Sequence, residues 1–237
     1  MRVVRAGDTA AFDIAASTAL ITAVTAKPTL TLTLPTGTTP RGLYRRLVAA
    51  HTAGDFSLAR ACVFMLDEYL DLTTFPVGSF SAYLRENLGE VIFNGSTRVV
   101  EFATDYDPAA LAAYDRALDD AGGLDLAVVG VGRNGHVGFN EPGSPLGLRT
   151  HVVELAADTL DANFPNVEPS RRPQQAVTMG LADIMGARAV LMLVSGEGKT
   201  AVAQRLLSEG GVDPAVPATH LLSHRDLTVV IDAGLLD

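Results

Sequence analysis

Short runs of aliphatic and β-branched residues recur along the chain, each separated from the next by glycine-rich turns and alanine-rich amphipathic stretches. The runs are Thr29–Leu34, Ala61–Leu66, Leu124–Val129, Ala189–Val194 and Leu227–Ile231. Three of them are almost wholly apolar, as strands covered on both faces of a parallel sheet should be. The helix-like segments span Thr9–Thr25, Pro40–Thr52, Ser79–Leu88, Pro108–Asp120, Val177–Met185 and Glu197–Ser208. Asp107-Pro108 opens one of them and Gly122 follows its end, matching the preferences of helix termini. Strand and helix in alternation predict an α/β fold, a single doubly wound, mostly parallel, Rossmann-like sheet with helices on both faces.

The chain is 237 residues long, 48% hydrophobic and 19% charged, enough to bury a large core without covalent staples. One domain over residues 1–237 is expected, with the polar, proline-rich Asn163–Gln175 belonging to a mobile flap near 155–176. The single cysteine, Cys62, excludes a disulfide framework and a cysteine-rich zinc site, and agrees with a reducing cytoplasm. Eighteen basic residues against 27 acidic give a net charge of −9, which argues against non-specific binding of nucleic acid. No apolar run reaches the roughly 18 residues of a membrane helix, and MRVVRAGDTAAFD meets an acid too early for a signal peptide. The expectation is a cytoplasmic protein with neither nucleic acid nor membrane as partner.

In open α/β sheets ligands bind at the carboxyl ends of the strands, where four of these runs carry chemically loaded motifs. Leu34–Pro40 reads LPTGTTP. Its Gly37, Thr38 and Thr39 offer free N–H groups and two hydroxyls at a helix start, suited to a phosphate or carboxylate. An ordinary loop with a threonine cap reads equally well. Asp67-Glu68, after ACVFM, either holds a carboxylate at raised pKa for proton transfer or is an acid pair favoured by a helix dipole. Gly130–Gly143 begins as G-x-G-x-x-G, but Gly138, Pro142, Gly143, Pro145 and Gly147 exclude the helix a dinucleotide fingerprint requires. A nicotinamide cofactor is therefore rejected. What remains is a glycine-rich loop with His136 and Glu141 five residues apart, a pair suited to acid–base work near neutral pH. Ser195–Thr200 (SGEGKT) imitates the end of a P-loop, yet Leu193 stands where a glycine is needed. Lys199 suits a single phosphate there, or is simply solvated. His220 and His224 have the spacing of a zinc pair but no base glutamate between them and no evident third ligand, so no metal is expected. Met179, Met185 and Met192 read as core filler.

Together LPTGTTP, LDEY, GRNGHVGFNEPGS, RTHVV and PQQAVTMG resemble the glucosamine-6-phosphate deaminase (isomerase) family, within the wider group that includes 6-phosphogluconolactonases. The resemblance runs from about Thr29 to Asp232. The lactonase branch typically carries D-E-R in place of Asp67-Glu68-Tyr69 and G-H-T-A-S-L-F-P in place of GHVGFNEP, which points to the deaminase branch. The resemblance implies conversion of glucosamine 6-phosphate and water to fructose 6-phosphate and ammonium, with no cofactor. It implies Asp67 as the base moving a proton between C2 and C1, and His136 as the relay to the ring oxygen, oriented by Glu141. Gly37, Thr38, Thr39 and Lys199 would hold the phosphate. Alternatives are a galactosamine 6-phosphate enzyme, a lactonase-like hydrolase and a non-catalytic sugar-phosphate regulator, as a monomer or small homo-oligomer.

The chain also departs from the family pattern. Asn134 stands where many members have aspartate, leaving it only hydrogen bonding. Ala162-Asn163-Phe164-Pro165 replaces A-N-x-R, whose arginine clamps the phosphate, with Arg171 or Arg172 as substitutes within the flap. Phe75-Pro76-Val77 replaces a His-Pro pair. Allosteric members place basic residues where His151 and Val153 stand and extend beyond the position of Asp237, so a non-allosteric enzyme is expected.

Overall fold

The apolar runs become the strands of a seven-stranded parallel sheet. A computed structural model of the chain describes residues 1–71, 78–103, 107–155, 160, 164 and 167–236. In chain order the elements are β1 (Arg2–Ala6), α1 (Thr9–Ala26), β2 (Thr31–Leu34), α2 (Arg41–Thr52), β3 (Cys62–Met65), β4 (Asp67–Tyr69) and α3 (Phe80–Leu88). They continue with β5 (Arg98–Val100), α4 (Pro108–Asp120), β6 (Leu126–Gly130), β7 (His151–Glu154) and β8 (Gln175–Thr178). The last are α5 (Leu181–Met185), β9 (Ala189–Val194), α6 (Thr200–Leu207) and β10 (Leu227–Asp232).

The main sheet runs β1-β10-β9-β6-β2-β3-β5, with every neighbouring pair parallel. From β1 the chain crosses to β2 and steps on to β3 and β5, then returns through β6 toward β9 and β10. Parallel crossovers are right-handed, so the two directions place α1, α2 and α3 on one face and α4, α5 and α6 on the other. Contacts of α1 with α2, and of α2 with α3, agree. The direction reverses between β2 and β6, the switch point where such sheets open a crevice. Strands β2 and β9 are almost entirely buried, as their apolar sequences require.

A second sheet, absent from the sequence expectation, has the order β4-β8-β7 and is antiparallel. It corrects the helix expected over Val177–Met185. Gln175–Thr178 instead pairs with both neighbours, and only Leu181–Met185 coils, after Gly180. Strands β1 and β5 also lay outside the predicted runs, being short edge strands, RVVRA and RVV, that begin on arginine and lack a long apolar run. Beneath the small sheet Tyr69, Phe139 and Phe164 form a satellite aromatic cluster, with Phe80 stacked at 5.8 Å from Phe139.

Helix α1 corrects the membrane expectation in one respect: by length and composition it is apolar enough to span a bilayer. Alanines interspersed with Phe12, Ile14, Leu20, Ile21 and Val24, rather than an unbroken aliphatic run, raise its hydropathy. Its buried residues Phe12, Ala16, Leu20 and Val24 recur at helical spacing and face the core, where it packs on β1, β9 and β10. Met179 and Met192 are fully buried and Met185 packs against the core.

Candidate active site

Strand β2 ends in the loop Pro35–Pro40, whose conformation two tyrosines hold. The Tyr44 hydroxyl on α2 donates to the Pro35 carbonyl, and the Tyr83 hydroxyl on α3 donates to the Gly37 carbonyl. With these carbonyls engaged, the backbone N–H groups of Gly37, Thr38 and Thr39 have no acceptor among the described residues. Gly37 takes φ of +88°, which only glycine adopts without cost. Lys199 Nζ donates to Thr39 Oγ1 at 2.9 Å, and Thr39 Oγ1 donates to the Ser195 carbonyl at 3.3 Å. The loops after β2 and β9 are thus tied together across the end of β6. Burial, and then the charge of Arg133, bring the Lys199 amine down to about 8.

The acid pair leaves the end of β3 and enters β4, not a helix. Its two carboxyls have different surroundings. Glu68 accepts from the N–H groups of Tyr69 at 2.9 Å, Phe80 at 2.9 Å and Ser81 at 3.0 Å, so it ties β4 to the start of α3. Burial raises its carboxyl and those three hydrogen bonds pull against the rise. Asp67 is 6% exposed and its Oδ1 is buried with no hydrogen-bond partner among the described residues. Burial, reinforced by the Glu68 charge, pushes the Asp67 carboxyl well above the usual aspartate range.

The loop after β6 folds on itself. His136 N–H donates to Asn134 Oδ1 at 3.1 Å, and Asn134 Nδ2 donates to Glu141 Oε2 at 2.7 Å. His136 Nδ1 lies 3.4 Å from Glu141 Oε1, an ion-pair separation rather than a tight hydrogen bond. The imidazole lies directly against Gly132, where a Cβ would come within 2.2 Å of its Cε1. Gly138 takes φ of +58°, and a Cβ there would lie 2.7 Å from Thr178 Oγ1 and 3.4 Å from Asp67 Oδ2. The Asp67 carboxyl therefore faces the backbone between His136 and Glu141. Thr178, paired with Asp67 across β4 and β8, accepts from the Phe139 N–H at 3.1 Å. Fully buried Asn140 donates to the Val137 and Met179 carbonyls at 2.8 and 2.9 Å, pinning the loop to the turn after β8.

Gly37, Thr38, Thr39, Asp67, Asn134, His136, Glu141 and Lys199 all lie at the carboxyl ends of β3, β2, β6 and β9, which are consecutive in the sheet. Of the two flap arginines, Arg171 is exposed, and Arg172 Nε donates to the Val167 carbonyl at 2.8 Å. Of Ala162–Pro165 only Phe164 is described, and its ring packs 5.1 Å from that of Tyr69. Phe75, Pro76 and Val77 lie outside the described residues, as do 156–159, 161–163, 165 and 166 of the expected flap. Tyr44, Tyr83 and Thr178 were missed by sequence reasoning, because each sits in a segment that reads as ordinary core. His224 is structural, with Nε2 on the Ala187 carbonyl at 2.9 Å and Nδ1 accepting from Asp226 N–H at 3.1 Å. These two bonds select the neutral imidazole protonated at Nε2. Among the described residues no group of three or more His, Cys, Asp or Glu is placed to hold a metal ion.

The architecture defines a class: α/β proteins built on a parallel sheet with a switch point, whose carboxyl edge here carries open N–H groups, a lysine, a histidine and carboxylates. Within that class the chain belongs to the family of glucosamine-6-phosphate isomerases/6-phosphogluconolactonase, whose model matches residues 8–230. A glucosamine-6-phosphate deaminase of Bacillus velezensis is 37% identical over 211 residues, covering 87% of this chain and 86% of that protein. The solved structure of a monomeric glucosamine-6-phosphate deaminase aligns with a TM-score of 0.90 at 33% identity, over 99% of this chain and 98% of its own. A 6-phosphogluconolactonase from Trypanosoma brucei aligns with a TM-score of 0.72 at 19% identity, over 99% of this chain and 97% of its own, a likeness of fold alone.

Proposed function

We propose that this chain is an isomerising deaminase that converts glucosamine 6-phosphate and water to fructose 6-phosphate and ammonium. The observation that carries the reading is the placement of the unpartnered Asp67 carboxyl against Gly138, in the loop that holds His136 on Glu141. The lysine–threonine cradle, on the loops after β2 and β9 that flank β6, offers a place for the phosphate. The relatives named for this reaction, at 37% and 33% identity over most of their lengths, support it.

In this reading the sugar phosphate enters the cradle of Gly37, Thr38, Thr39 and Lys199. Its dianion fills the open N–H groups, which bind anions at strand–helix turns. His136, oriented by Glu141, passes a proton to the ring oxygen as the C1–O bond of the ring breaks, and the C1 hydroxyl gives its proton back to the imidazole, leaving the open-chain aldehyde. Asp67 takes the proton from C2, the electron pair forms the C1–C2 double bond, and the carbonyl oxygen takes up a proton from His136, giving a neutral enolamine. Return of that proton to C1 gives a C1 alcohol and an iminium at C2. Water adds to C2 and ammonia leaves, taking up a proton to become ammonium and yielding the ketose. A buried carboxylate with a raised pKa is a stronger base than a solvated one, which suits abstraction from carbon. The protein works as a cytoplasmic enzyme on a small amino-sugar phosphate, and the monomeric relative supports action by single chains.

Incubation with glucosamine 6-phosphate and with its galacto epimer, following ammonium release, tests the proposal. Ammonium from the gluco substrate is the expected result. Release from neither sinks the deaminase reading, and release only from the epimer changes the substrate. Hydrolysis of 6-phosphogluconolactone without ammonium release would transfer the chain to the lactonase branch.

A further inference from the structure

A phosphate monoester carries close to two negative charges near neutral pH, yet the cradle shows a single lysine, and Ala162–Pro165 holds no arginine. The other basic groups nearby are engaged or remote. Arg41 opens α2 beside the Tyr83 hydroxyl and its charge acts on that phenol, Arg172 donates to the Val167 carbonyl, and Arg171 is exposed.

Arg133 differs. It follows Gly132 at the end of β6, the strand between β2 and β9. Its side chain runs along Gly198, where a Cβ would lie 3.0 Å from Arg133 Cδ and 3.4 Å from Nε. The guanidinium is thereby carried beside Lys199, the next residue, and its charge contributes to the lowered lysine pKa. The ion pairs among described residues join other groups, so Arg133 has no acid partner there. Two cations held together without a carboxylate repel one another, an arrangement that an anion between them turns to attraction. Arginine also binds phosphate in a bidentate fork that lysine does not offer.

We infer that Arg133 is a substrate-binding residue of this site, gripping the phosphate from the loop after β6 in place of an arginine on the flap. The inference rests on the proposed sugar-phosphate site but not on the deamination step. The test is calorimetric titration of the whole chain with inorganic phosphate, for wild type, Arg133→Ala, Arg133→Lys and Arg225→Ala. Arg225 is exposed just before β10, at the opposite edge of the sheet, and removes the same charge. Arg133→Ala should weaken phosphate binding about tenfold, with Arg133→Lys between it and wild type. KM for glucosamine 6-phosphate should rise by a similar factor. Binding in Arg133→Ala within twofold of wild type, or an equal loss in Arg225→Ala, overturns the inference. So does a wild type that binds no phosphate. A wild type that binds phosphate but releases no ammonium sinks the deaminase reading and leaves the Arg133 comparison standing.

Discussion

Asn134 donates its side-chain amide to Glu141 Oε2 at 2.7 Å while its own Oδ1 receives the His136 backbone N–H at 3.1 Å. One side chain thus fixes both the carboxylate and the start of the histidine turn. An asparagine can donate to Glu141, which an aspartate carboxylate cannot do, and so keeps Glu141 aimed at His136. Asn134→Ala should lower kcat about tenfold or more while KM changes little. Steady-state ammonium release checks the split, and a loss confined to KM would contradict it.

The Lys199 amine, held near 8 by burial and Arg133, predicts an alkaline limit to substrate binding. As pH rises through about 8 the lysine loses its charge, so KM should climb while the hydroxyl and amide donors remain. Because the folded value lies below the ordinary 10.5, the unfolded chain binds more protons between these values, and this group's contribution makes stability rise with pH across that window. Lys199→Met should remove the alkaline rise in KM, raise KM at neutral pH about tenfold and flatten the stability change. Substrate titrations from pH 7 to 9.5 test this.

Asp67→Asn should abolish turnover yet stabilise the fold. The native carboxyl titrates well above its ordinary value of 3.8, so the folded protein holds its proton at pH where the unfolded chain has lost it. Stability attributable to Asp67 is therefore greatest at acid pH and declines as pH rises through that interval. Asparagine removes the penalty, and Tm at neutral pH should rise by about 2–4 °C. The advantage should vanish near pH 4. Calorimetric scans at both pH values test the sign, and a neutral-pH Tm below wild type would contradict it.

Tyr83 reaches the Gly37 carbonyl from α3, making it a positioning residue for the anion loop. Tyr83→Phe frees that carbonyl and should raise KM for the phosphorylated sugar about fivefold through one lost hydrogen bond. Inorganic phosphate affinity should fall by the same factor, whereas a purely structural role would lower Tm and leave both constants alone.

Much of this site was legible before folding. The five apolar runs become β2, β3, β6, β9 and β10 within a few residues, because strand burial and turn chemistry are written locally. Seven of the eight expected site residues lie on the loops that follow β2, β6 and β9, and the eighth, Asp67, opens β4 just past the end of β3. The helix expected over Val177–Met185 failed where Gln175–Thr178 found partners in β4 and β7. Those partners are distant in sequence, and periodicity over a short window carries no trace of them. Tyr44 and Tyr83 escaped notice for a related reason, since their rings read as core while only their hydroxyls act.

What the sequence determined by itself was the alternation of elements and the chemical content of each strand end. Which of two adjacent acids is spent on structure was decided only in three dimensions. Glu68 meets three backbone N–H groups, two of them at the start of α3, and Asp67 turns its unpartnered oxygen inward near Gly138. The same holds for Arg133, which gains its place beside Lys199 because β6 lies between β2 and β9. Sheet order and burial are properties of the whole chain, and they set the electrostatics that residue identity leaves open.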